Sequence, residues 1–262
     1  MTDHRPVEYR YPDPGERLTL QVIADSGLSV DAWEGQESQV LDALTDPLAT
    51  LAPPRRLLDF GSGVGRLALR LAGLFDQVTS IEPDPDRARA QVEAIAVCGL
   101  ADRIQVRTNG LGPADHGQFD AVICSHVLQH VDTAAASSIL DELAIAPRPD
   151  GYLLVLTTLT SSTSERFTIE RLDADNRLLE QEVSRSEFDL SCRSNEVGRL
   201  PVRFFSYSDL TNAFARRSLR LVASYLFHGG LGVVGPLIAP PALTNPPVEP
   251  LPWRDIAILA RR

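Results

Sequence analysis

The chain has 262 residues, a formal net charge of −10, and ordinary apolar and charged fractions of 44% and 23%. That length suffices for one large α/β domain with decorations, and the acidic balance argues against non-specific nucleic-acid binding, which needs a basic face. Cys98, Cys124 and Cys192 are an odd number, widely spaced and without Cys-x-x-Cys, which excludes a disulfide framework and disfavours a structural zinc.

No apolar run approaches a membrane span, and Met1-Thr2-Asp3-His4-Arg5 lacks a signal-peptide core, so a cytoplasmic protein without a membrane partner is expected. All 25 basic residues are arginine, the usage of a GC-rich genome. In residues 1–50 the pattern predicts a helix from Asp31 to Leu44. With Tyr9, Tyr11 and Trp33 it forms an N-terminal cap, either a lid over a ligand or a cover for a sheet.

Leu57 to Phe60 is a short apolar strand running into Gly61-Ser62-Gly63-Val64-Gly65, and Arg66 onward reads as an amphipathic helix. Glycines at alternate positions let the backbone turn tightly and approach a ligand. The helix start behind them offers free N–H groups. The dinucleotide fingerprint Gly-x-Gly-x-x-Gly fails, because its third glycine is Arg66 here, and no Gly-Lys-Ser/Thr follows to make a P-loop.

Gln77 to Glu82 is a second strand with a carboxylate at its end. Glu82 lies roughly 20 residues beyond the glycines, the spacing at which an acidic residue reaches ribose hydroxyls. Pro83-Asp84-Pro85-Asp86 punctuates, and Arg87 to Cys98 has helical periodicity. Ile104 to Thr108 is a third strand leading to Asn109-Gly110, and Phe119 to Cys124 is a buried fourth. A helix over Ala134 to Ala146 is stopped by Pro147 and Pro149, and a fifth strand covers Tyr152 to Leu156. This alternation predicts a doubly wound, mostly parallel sheet. Asp59, Glu82, Asn109 and Ser125 all fall at carboxyl ends of strands, where such sheets bind ligands.

Beyond strand five, residues 159–203 are a polar insertion. Phe167 to Leu172 and Leu179 to Val183 alternate apolar and polar around Asp173-Ala174-Asp175-Asn176, as a β-hairpin would. Phe204 to Leu210 begins a late helix, Leu219 to Phe227 is a strand, and the Gly- and Pro-rich residues 229–252 wrap the surface without regular structure. Trp253 to Ala260 is the last strand.

The pattern Asp59-x-Gly61-x-Gly63-x-Gly65 resembles motif I of the class I (Rossmann-like) S-adenosylmethionine-dependent methyltransferases, and the small-molecule type in particular. Gln118 to Ile123, Ser125 to Val131 and Pro147 to Tyr152 resemble that family's fourth strand, the short segment after it and the turn before strand five. The resemblance implies a seven-stranded sheet with an antiparallel last strand, and S-adenosyl-L-methionine as cofactor. It divides a single methyltransferase domain into a cap (1–50), a cofactor-binding core (51–158), a substrate-side insertion (159–203) and the rest of the sheet (204–262). The cofactor-binding set it implies is Asp59, Gly61, Ser62, Gly63, Gly65, Glu82, Pro83, Asn109, Gly110 and Ser125, with Asp59 near the ligand's amino-acid portion. Many members place an aspartate after strand three for the adenine amino group. Asn109 stands nearest that place, and its amide can accept or donate.

The activity implied is methyl transfer to a hydroxyl or amine of a small molecule such as a secondary metabolite. His126, after strand four, is the first candidate for a general base, and His130, one helical turn on, is the second. No Asp/Asn-Pro-Pro-Tyr/Phe follows strand four, which disfavours amino methyltransferases of DNA bases. No acidic cluster and no third ligand accompany the two histidines, so no metal is expected. A methyltransferase fold that catalyses a different reaction, such as a cyclisation, or a non-enzymatic binding protein, stays open. A monomer or homodimer is expected.

Overall fold

The computed structural model describes residues 9–237 and 253–262. Two helices open it, α1 (Arg17–Asp25) and α2 (Val30–Ala49). The alternating core follows: β1 (Arg56–Phe60), α3 (Arg66–Leu71), β2 (Gln77–Ile81), α4 (Pro85–Val97), β3 (Ile104–Arg107), β4 (Phe119–Ser125), α5 (Thr133–Ile145) and β5 (Pro147–Thr158). The remainder is β6 (Arg166–Leu172), β7 (Leu178–Glu182), α6 (Arg185–Ser194), β8 (Leu200–Phe204), α7 (Tyr207–Ala215), β9 (Arg220–Gly229), β10 (Val234–Leu237) and β11 (Trp253–Arg261).

Helix starts are set by side-chain caps that satisfy orphan N–H groups. Asp84 accepts from the amides of Asp86 and Arg87 ahead of α4, with Pro85 in the first turn, and Asp132 does the same for Ala134 and Ala135 ahead of α5. Ser29 caps α2 through the amide of Ala32.

The large sheet runs β10-β9-β11-β5-β4-β1-β2-β3. Strands β1 to β5 pair in parallel, and β11 is antiparallel to both β5 and β9. Successive residues of a strand face opposite sides, and this sheet is covered on both. Leu58, Val122, Cys124, Val155, Ile256 and Ile258 pack with Leu140 and Leu143 of α5 and Phe214 of α7. Leu57, Ala121, Ile123, Leu154, Ala257 and Leu259 pack with Val40, Leu41 and Leu44 of α2 and Leu67 of α3. That two-sided burial is why these strands read as continuous apolar runs. The order of strands reverses between β1 and β4, and the crevice beyond their carboxyl ends is the topological switch point.

Several expectations need correction. The main sheet has eight strands rather than seven, and a separate three-stranded antiparallel sheet, β7-β6-β8, stands beside it. The hairpin is there, with Asp173 holding its turn through the amides of Asp175 and Arg177. The insertion also holds α6 and β8, and β8 pairs with β6. Phe204, expected to begin a helix, ends β8, and α7 starts at Tyr207. The turn predicted at 147–151 is instead the start of β5, with a register shift opposite Phe119 to Ala121; proline is tolerated at the first residue of a strand. The predicted cap helix runs five residues past Leu44 to Ala49, with Pro47 inside it, and a second helix, α1, precedes it. Within 229–252, expected to lack regular structure, β10 pairs with β9. Residues 238–252 lie outside the described residues. Among the described residues no helix is long and apolar enough to cross a membrane.

Candidate active site

A cavity of about 570 Å³ opens at the switch point between the glycine turn and the N-terminal helices. Its floor is the turn after β1. Gly61 and Ser62 donate their amides to the carbonyl of Ile81 at 2.8 and 3.0 Å, which ties the turn to the end of β2. Gly61 and Gly63 sit at φ 71° and 58°, a left-handed backbone that costs other residues about 1–2 kcal/mol. At Gly61 space decides the matter as well, because a Cβ there would overlap Cγ2 of Val127; at Gly63 it would meet only the guanidinium tip of Arg87, which can shift.

Glu82 organises the wall above. One carboxylate oxygen accepts from the amide of Gly63 at 2.7 Å and the other from the amide of Asp84 at 2.9 Å. Burial raises its pKa above the usual carboxylate range. Asp84 in turn accepts from the backbone N–H of Tyr11 at 2.6 Å, so the chain entering the lid is fastened to the start of α4. Asp59, at the end of β1, is 1% exposed, and its Oδ2 has no hydrogen-bond partner. Burial pushes its carboxyl up to about 7. An orphaned carboxylate oxygen facing a cavity is a group that awaits a donor or a cation.

The lid is clamped at both sides. Arg66, the residue in place of the dinucleotide glycine, bonds both carboxylate oxygens of Glu37 on α2 at 2.6 and 2.8 Å. Across the sheet, Gln36 donates to the carbonyl of Gly229 and accepts from its amide. Trp33 stacks on the ring of His228, with centroids 3.6 Å apart. Tyr11 lies under the guanidinium of Arg87 at 4.0 Å.

Three histidines line the cavity, together with Glu170 and Arg254. His130 donates from Nδ1 to the carbonyl of Pro201 at 2.8 Å, which fixes its tautomer and leaves a lone pair on Nε2. Burial pushes its pKa down from 6.5 to about 4. His126 bonds the side chain of Gln129 through Nδ1 at 2.9 Å, and burial lowers its pKa too. His228 bonds Asp255 at 2.5 Å. Glu170, brought by the insertion, pairs with Arg254 of β11 at 2.9 Å, while its Oε2 lacks a partner.

A buried neutral histidine has a consequence for stability. Between pH 6.5 and about 4 the unfolded chain binds a proton at His130 that the folded chain does not, so this residue's contribution to stability rises with pH across that window. His130→Gln is expected to flatten the fall of the melting temperature on acidification through that window; an unaltered pH slope would contradict the buried, neutral state.

Of the residues assigned to the site from the sequence, Asp59, Gly61, Ser62, Gly63, Glu82, Pro83, Gly110, Ser125, His126 and His130 line the cavity. Two expected residues do not line it. Gly65 instead packs against Gln91, and Asn109 is exposed while its neighbours Thr108 and Gly110 reach the wall. His228, Asp255, Glu170, Arg254 and Arg87 were not foreseen. For Asp255 there was a signal, an acid one residue before the apolar run Ile256 to Ala260 in a central strand. Cys124 is fully buried and its thiol pKa is pushed far up, as befits a core residue.

Residues 32–224 match the family described as methyltransferase domain. The ribosomal protein L11 methyltransferase of Desulfitobacterium hafniense is 37% identical over 76 residues, which are 29% of this chain and 24% of that protein. The ubiquinone biosynthesis O-methyltransferase of Alkalilimnicola ehrlichii is 27% identical over 170 residues, covering 61% of this chain and 67% of that one. The chain thus spans from about a quarter to two thirds of the length of these relatives. Among solved structures, the 1,6-didemethyltoxoflavin-N1-methyltransferase of Burkholderia thailandensis, with bound 1,6-didemethyltoxoflavin and S-adenosylhomocysteine, matches with a TM-score of 0.52 at 15% identity. That match covers 97% of this chain and 91% of that one, and it shows a common fold.

Proposed function

Because the chain belongs to the class I S-adenosylmethionine-dependent methyltransferases, we propose that it methylates a hydroxyl or amine of a small molecule within the lidded cavity. The observation that carries this reading is the continuity of that cavity. The same 570 Å³ cavity is lined both by Asp59 and the glycine turn and by the histidines, Glu170 and Arg254. The volume suits a metabolite rather than a folded macromolecule.

The residues present fit the cofactor. Asp59 offers an unpartnered carboxylate oxygen for the amino-acid portion, and Glu82, the acid at the end of β2 that holds the amide of Gly63, is the carboxylate we assign to the ribose. When bound, S-adenosylmethionine would supply its sulfonium methyl group to an aligned nucleophile, the carbon–sulfur bond breaking as the new bond to carbon forms and S-adenosylhomocysteine leaves. The protein contributes position, dryness and a proton acceptor. Holding the acceptor group in line can lower the barrier by several kcal/mol, and a base typically adds about 10²–10⁴-fold. Of the two histidines expected in that role, His130 has the better-defined tautomer. Its Nδ1 proton is committed to Pro201, so Nε2 accepts a hydrogen bond at every pH above about 4. Glu170 Oε2, unpartnered and buried, suits a donor group elsewhere on the acceptor molecule.

The protein incubated with methyl-labelled S-adenosylmethionine and a bacterial extract is expected to label the small-molecule fraction. Label confined to protein or nucleic acid would overturn the small-molecule reading. Conversion of a metabolite without label transfer would replace methylation by another reaction of the same fold.

A further inference from the structure

We propose that His126, His228 and Asp255 form a binding site for one first-row divalent transition-metal ion in the cavity wall beneath Trp33. The three come from the segment after β4, the end of β9 and the interior of β11, so no stretch of sequence displays them together. Each offers one ligand atom, and these atoms lie within 4.8 Å of one another. All three residues line the cavity.

Hydrogen bonding around His228 specifies its ligand atom. Nε2 lies 3.2 Å from the carbonyl of Trp33, which can only accept, so Nε2 carries the proton. Nδ1 is therefore the nitrogen left to bind an ion, and it lies 2.5 Å from Oδ2 of Asp255. Two acceptors at that distance need a positive charge between them. A proton meets the need for one carboxylate oxygen only, and Oδ1 of Asp255 remains buried without a partner. An ion bound by Nδ1 and the carboxylate, with His126 as third ligand, satisfies the whole group. The displaced proton passes to solvent as the ion enters.

The surroundings match what ligand histidines need. A metal-bound imidazole donates its other N–H to a fixed acceptor. For His228 that acceptor is the Trp33 carbonyl, with the Trp33 ring stacked on the imidazole at 3.6 Å. For His126 the neighbour is the side-chain amide of Gln129, whose nitrogen lies at Nδ1 and whose oxygen accepts from Thr157 Oγ1; ligation through His126 Nε2 turns that amide over, so that its oxygen accepts from Nδ1. Both histidines hold left-handed backbone, at φ 55° and 57°. Such strain persists where neighbours over-determine it and gathers at functional sites. Two imidazoles and one carboxylate suit zinc, manganese, iron or cobalt better than magnesium or calcium, which prefer oxygen alone. Three protein ligands also leave a coordination position open toward the cavity.

The site is tested apart from any methyl transfer. The full chain, stripped with chelator, is titrated calorimetrically with Zn²⁺ and Mn²⁺, and Co²⁺ binding is followed by visible absorption. One ion per chain is expected, with affinity at least about 100-fold lower in His228→Ala and Asp255→Asn. Far-ultraviolet circular dichroism and thermal melting of the same samples report whether each variant is folded. If both variants fail to fold, His126→Asn takes their place. No binding of any of the three ions by the wild type would overturn the site, as would unchanged affinity in the folded variants.

Discussion

Glu82→Ala is expected to weaken S-adenosylhomocysteine binding by at least about 100-fold, or ~2.7 kcal/mol. The side chain does two things at once. Its oxygens hold the amides of Gly63 and Asp84, so it fixes both the glycine turn and the start of α4. Bonds from amides to a charged acceptor contribute about 1.5–3 kcal/mol each, and removing them leaves two buried donors without a partner. The carboxylate is also the group placed to meet the ribose. Glu82→Gln keeps one acceptor oxygen and is expected to fall between wild type and Glu82→Ala. Isothermal calorimetry on the three proteins checks the order; equal affinities would remove Glu82 from the site.

The second large effect is expected from Gly61→Ala. A left-handed backbone costs about 1–2 kcal/mol for a residue with a Cβ, and forcing a methyl into a filled site adds about 1–3 kcal/mol. Here the obstacle is Val127, which packs over the turn from the segment carrying His126. Stability should fall by about 2–5 kcal/mol, a large share of a typical domain's total. The methyl also pushes the turn away from Val127, so cofactor affinity should be lost even at temperatures where the variant stays folded. Gly73→Ala, where a Cβ meets nothing within 4 Å, is the control expected to bind normally.

How much of this was legible beforehand depended on locality. The turn from β1 to α3, the carboxylate at the end of β2 and the alternation of strands and helices are written in stretches of a few residues. Each of those stretches shows a period or a spacing. The same holds for the hairpin around Asp173. The eighth strand did not show, because Val234 to Leu237 is short and lies in a Gly- and Pro-rich run where pairing with β9 is set by tertiary structure. Strand β8 was hidden in the same way. Leu200 to Arg203 fall in the insertion without a strand period that marks them, and Phe204 adjoins the helix cap at Ser206, so it reads as part of a helical start.

The site divides along the same line. Asp59, Glu82 and the glycines are local and were expected. Arg66 was noted only for not being glycine, and its clamp on Glu37 spans 29 residues. His228 and Asp255 are long-range partners of His126, and no spacing joins them. Asn109 was placed by analogy with an aspartate, and the strand end turns it outward while Thr108 and Gly110 take the wall.

The switch-point cavity, framed by Asp59, the glycine turn and Glu82, is the proposed cofactor site. Calorimetric titration of the wild-type chain with S-adenosylhomocysteine, with Glu82→Ala and Gly61→Ala alongside, is the decisive measurement. One molecule is expected to bind per chain, with binding lost or severely weakened in both variants. No binding by the wild type, or undiminished binding by folded forms of both variants, would contradict it.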